Sequence, residues 1–250
     1  MREGSKFTSQ QWLSGLLPEV TSARRVLASA DRLLRQDGTL ERDLDAVLAT
    51  YSIGVERLMK LALGTAAVSR GEGWPKTMGF TRTGWGHALD EMDARLRATL
   101  REVVAAGDWE HKRLLETWTC TLDSDPVWAA VIRTLRNYAD AGRYHHLDQI
   151  RGGEVKSRSS REMWEEVERV AIDSNESLSA HYQRVLDGAA FDPLELELRS
   201  AVADAIKRWV SIICLFGFHG VLGDDWRVIG ADALPDDAVP VRVLRECEAG

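Results

Sequence analysis

One stretch, LRNYADAGRYHHLD from Leu135 to Asp148, gathers the side chains of this sequence best suited to chemistry. Arg136 and Arg143 are fixed cations that can hold a phosphate through paired hydrogen bonds. His145 and His146 titrate near neutral pH, so either can take or give a proton. Arg136 and Arg143 are two helical turns apart and share a face of a continuous helix, with Asp140 between them. On that helix His146 lies on an adjacent flank and His145 points away from Arg136. A break at Gly142 would let either histidine swing toward the arginines. A base for the ribose 2′-hydroxyl and a cation for the phosphate are what metal-free RNA cleavage needs. Tyr144 can stack on a base, though its position beside Leu147 also suits partial burial. The competing reading is structural: Arg136 and Asp140 pair along the helix surface, and the histidines finish a polar helix end.

Helices must position these groups. Asp125-Pro126 is a start signal, since Asp caps free amides and Pro fits the first helical position. The helix beginning there puts Trp128, Val131, Ile132, Leu135 and Tyr138 on one face and Arg133, Arg136, Asn137 and Asp140 on the other. A basic loop, RGGEVKSRSSR from Arg151 to Arg161, can touch a phosphate backbone or simply be a solvated connection. Ser159 and Glu162 have capping-box spacing for a helix through about Asp173.

Elsewhere Leu44, Leu48, Tyr51, Val55, Leu58 and Ala62 recur in steps of three and four, predicting a long helix over about Glu41 to Leu63. Earlier, a helix from about Glu19 to Arg35 stops at Asp37-Gly38. Gly71 to Gly86 reads as a loop, followed by helices over about His87 to Ala105 and Trp109 to Trp118. Asp192-Pro193 opens a last strong helix to about Phe218. No repeat, coiled-coil run or set of strands is present. The pattern predicts an all-α, antiparallel helical bundle. One helical domain would cover residues 1–223, with further C-terminal helices over about 159–218. An irregular acidic tail would follow over 224–250.

A chain of 250 residues with 44% hydrophobic and 28% charged residues can bury a real core. Its net charge of −7 argues against a broad basic face for duplex nucleic acid, yet leaves room for a local phosphate site. The nine tryptophans are scattered, which suits large aromatic packing rather than a binding cage. Three widely spaced cysteines point to reduced thiols. The run WVSIICLFGF from Trp209 to Phe218 is too short to span a bilayer, where about 20 residues are needed. The N-terminal residues lack the apolar segment of a secretory signal, so a soluble, cytoplasmic protein without membrane contact is expected. The dinucleotide, phosphate-loop, HExxH and GxSxG signatures are missing, as are the Glu-x-x-His pairs of di-iron bundles. His87 with Asp90 and Glu91 reads as helix capping. Neither a metal nor a cofactor is expected.

Some segments resemble a known family. YSIGVERLMKLAL, from Tyr51 to Leu63, resembles the long helix of HEPN domains, with its glycine-x-glutamate-arginine followed by leucine and lysine. GHALDEM, from Gly86 to Met92, is similar to the glycine-histidine-x-leucine that opens the next helix in some members. Arg136-Asn137 looks like the arginine-polar start of the family's nuclease signature, and the likeness covers about residues 41–148. HEPN proteins are helical bundles, often dimeric, and many are toxin-antitoxin or antiphage-defence ribonucleases. The resemblance implies a metal-independent endoribonuclease whose Arg136 binds phosphate, whose Asn137 supports the site and whose His145 or His146 moves the proton. It also implies RNA as partner and a homodimer. More residues separate Arg136 from His145 than the family pattern has. The alternative is a catalytically silent helical module that binds a partner protein or nucleotide.

Overall fold

The computed structural model describes residues 7–36, 40–75, 88–140, 150 and 158–235, and these contain helices and no strand. A short run at Ser9–Gln11 and a π-helical turn at Trp12–Leu16 lead into α1 (Leu17–Arg35). Then come α2 (Leu40–Ser69), α3 (Leu89–Ala106), α4 (Lys112–Ser124) and α5 (Pro126–Asp140). The chain continues with α6 (Ser160–Asp173), α7 (Glu176–Leu186), α8 (Asp192–Phe218) and α9 (Asp224–Ala233). The all-α architecture is therefore as the periodicity predicts. No described helix is long and apolar enough to cross a membrane.

The chain divides into two compact units, each assembled from segments far apart in sequence. One takes residues 1–26, 53–124 and 207–250. Its core holds Val55, Leu58 and Met59 of α2, Met92 and Leu96 of α3, Trp118 of α4 and Ile213 and Phe216 of α8. Indole N–H groups fasten it, because a buried donor needs an acceptor. Trp209 donates to Asp93 Oδ1 at 2.9 Å, Trp12 to Asp225 Oδ1 at 3.1 Å and Trp226 to the Ile213 carbonyl at 3.0 Å. The run Trp209 to Phe218 is a core helix segment, buried apart from Leu215 and the exposed Phe218.

The other unit takes residues 27–52 and 125–206. Here α5 packs on α6, and α6 on α7. Trp128, Val131 and Leu135 are buried on one side, Trp164 and Val167 on the other. Local chemistry sets the helix starts. Asp125 Oδ1 accepts from the Trp128 N–H at 3.0 Å, and Ser159 and Glu162 form the full capping box expected of them. Asn175 caps α7 by accepting from the Ser177 and Leu178 N–H groups. Arg199, 3% exposed, donates to the Gln36 carbonyl at 2.8 Å and pairs with Glu195.

Two features correct the linear reading. The expected irregular tail from residue 224 begins instead with α9, whose Trp226, Ile229, Gly230 and Ala233 are buried. This helix seats closely on α8: a Cβ at Gly230 would lie 2.7 Å from the Cys214 carbonyl oxygen, and one at Gly217 2.8 Å from the Trp226 carbonyl. Gly220 and Gly223, with φ of 72° and 92°, make the turn between them. Residues 236–250 lie outside the described residues. In addition, α7 occupies a segment for which the spacing predicted no element.

Candidate functional site

The C-terminal turns of α5 carry the two candidate residues that the structure describes, both half-buried. Arg136 Nη1 lies 3.3 Å from Asp140 Oδ2, with the arginine side chain 31% exposed and the carboxylate 69%. This is the helix-surface pair that the four-residue spacing predicts, and such pairs contribute about 0–1 kcal/mol. Asn137 Nδ2 donates to the Arg158 carbonyl at 2.9 Å. The amide therefore ties α5 to the residues just before α6, a contact the sequence did not reveal.

Arginines from both elements meet here. Arg158 Nη1 donates to Glu166 Oε2 at 2.5 Å and its Nη2 to the Glu162 carbonyl at 3.2 Å. Arg133 Nη2 donates to Glu166 Oε1 at 3.3 Å. Both guanidiniums are about half exposed. The Arg158 hydrogen bond, assisted by Arg133, holds the Glu166 carboxyl below its usual range, so it stays ionised at neutral pH. Since Arg133 and Arg136 are one turn apart on α5, the α5–α6 face presents three guanidiniums beside the half-buried Glu166 and the exposed Asp140. Arg161 of the basic segment pairs with Glu165 at 2.9 Å.

Arg143, Tyr144, His145 and His146 lie outside the described residues, as do residues 151–157 of the basic loop. His181 is buried, and its Nδ1 is 2.9 Å from Glu197 Oε2. His87 lies outside the described residues; Asp90 and Glu91 stand in the first turn of α3, where acidic groups suit the helix dipole. Among the described residues, no group of three or more His, Cys, Asp or Glu side chains could hold a metal ion. Cys214 is fully buried and its thiol is pushed far up by desolvation, so it is no nucleophile. Burial likewise raises the Tyr51 phenol, whose hydroxyl has no hydrogen-bond partner among the described residues.

Comparison with family models, curated proteins and solved structures finds no match for this chain.

Proposed function

We propose that this chain is an RNA-directed, HEPN-like protein of the defence or toxin type that cleaves RNA without metal, in the cytoplasm and as a homodimer. Arg136 is the phosphate ligand, and Arg143 further along the sequence assists it. His145 or His146 transfers the proton, Asn137 holds the supporting backbone and Tyr144 stacks on a base. The observation that carries this reading is the arginine-lined face of α5 and α6, where Arg133, Arg136 and Arg158 each pair with a carboxylate at the surface. Exchanging an exposed carboxylate for a phosphate costs little there, because each surface pair contributes so little. Phosphate also offers an arginine two parallel acceptors.

A second reading, the catalytically silent interaction module, is favoured by Asn137, whose amide is already committed to the Arg158 carbonyl. Mixed RNA incubated with the purified protein in chelator separates the two. Cleavage should be abolished in Arg136→Ala and in His145→Ala/His146→Ala, with thermal melting unchanged. Cleavage that persists in both variants removes the proposed site. RNA cut by no form favours the silent module that binds a partner protein or nucleotide, and a monomer by light scattering removes the dimer.

A further inference from the structure

We propose that His111 and His219 form a two-histidine site for a borderline divalent transition-metal ion such as Zn2+, Ni2+ or Cu2+. His111 immediately precedes α4, and His219 immediately follows α8. Their ring centroids are 5.5 Å apart, with the planes at 88°. An imidazole ligand places its nitrogen about 2.0–2.1 Å from such a metal, and the ring centre lies roughly an ångström beyond that nitrogen. Two rings on one tetrahedral ion then have centres about 5–5.5 Å apart, by that same bond length. The observed separation falls in this range. His111 is exposed, so its ring stands where solvent and an ion can reach it.

Neither imidazole makes a hydrogen bond or ion pair among the described residues; their recorded contacts are ring contacts, to each other and from His219 to Trp118 at 5.5 Å. A neutral imidazole carries the lone pair that a metal needs. Imidazole donors select zinc, nickel and copper over the hard oxygen-seeking Mg2+ and Ca2+. With no third side chain in ligating geometry among the described residues, water completes the coordination and the ion exchanges readily.

The test is calorimetric titration of the full chain with NiCl2, alongside His111→Gln, His219→Gln and His145→Gln/His146→Gln. The wild type and the last variant should bind one Ni2+ per chain at this site, with excess Mg2+ not competing. Each of the first two variants should lose affinity by more than an order of magnitude. Tryptophan fluorescence should be partly quenched by Cu2+ in the wild type, through Trp118 beside His219, and less so in His111→Gln. The exposed position of His111 keeps that variant folded, which its melting temperature verifies. Unaltered Ni2+ affinity in both His111→Gln and His219→Gln, or no binding by the wild type, overturns the proposal. So does loss of binding confined to His145→Gln/His146→Gln, which would assign the ion to that segment instead.

Discussion

Asp93 should be one of the most stability-sensitive positions of its unit. Its carboxylate is fully buried, with Oδ1 accepting from the Trp209 indole and Oδ2 from Arg97 Nε, both at 2.9 Å. Replacement by alanine strands the indole N–H of a tryptophan that is only 2% exposed. An unsatisfied buried donor costs about 1–3 kcal/mol, and breaking a buried charged pair about 3–5 kcal/mol. Arg97 is not itself stranded, because it is partly exposed and also reaches Asp123 Oδ1 at 3.1 Å. Asp93→Ala should therefore cost about 3 kcal/mol, the low end of the buried-pair range. That is roughly two orders of magnitude in the unfolding constant. Asp93→Asn keeps an acceptor for the indole and loses the charge-assisted bond to Arg97, so about half that cost is expected. Urea titration followed by tryptophan fluorescence and by far-ultraviolet circular dichroism gives both values. The two probes must coincide, since a chain of two units can unfold in two steps. A loss below about 0.5 kcal/mol for Asp93→Ala, the range of ordinary surface changes, would refute the reasoning. Equal losses for alanine and asparagine would refute the division between the two oxygens.

Gly230→Ala should destabilise by about 1–3 kcal/mol, because its Cβ meets rigid backbone at the Cys214 carbonyl rather than a side chain that can swing away. Gly15→Ala, where an added Cβ meets nothing within 4 Å, is the control and should be neutral or stabilising; equal thermal melts for the two would contradict the close α8–α9 seat. His219 should make stability pH-dependent. Its folded pKa is lowered, chiefly by burial, so below the unfolded value of about 6.5 the unfolded chain binds more protons than the native one. Stability is then fully present above about pH 6.5 and falls as the pH drops toward the folded pKa. Urea midpoints measured on both sides of that pH should converge in His219→Gln; an undiminished pH slope in the variant would disprove the assignment.

What the sequence discloses about this fold has a physical boundary. Features made by residues within about four positions of each other were legible: the Asp125 cap, the Ser159–Glu162 box, the α2 stripe from Leu44 to Ala62 and the Arg136–Asp140 pair. Each rests on the pitch of one helix and needs no knowledge of neighbours. α9 escaped because its stability is not local. Gly230 weakens a helix on propensity alone, and Pro235 and the acids around it read as tail. The same glycine becomes favourable only when α8 supplies Cys214 and Gly217 as the surface to approach. α7 escaped because its buried residues are only Leu178 and His181, too few for a clear stripe.

The candidate site divides at the same boundary. Arg136 announced itself by spacing, but the carbonyl that Asn137 holds comes from Arg158, and the carboxylate that Arg133 meets comes from α6. The resemblance singles out Asn137 as supporting a site, yet no residue near it in sequence indicates what it supports. His111 and His219 illustrate the limit most sharply. Neither stands in a ligand-spaced motif, and only the packing of the two helix ends sets their rings 5.5 Å apart. Ligand spacing such as HExxH is legible because one helix turn supplies the geometry. A pair assembled by tertiary packing leaves no such periodic trace, so its chemistry has to be sought in distances rather than in motifs.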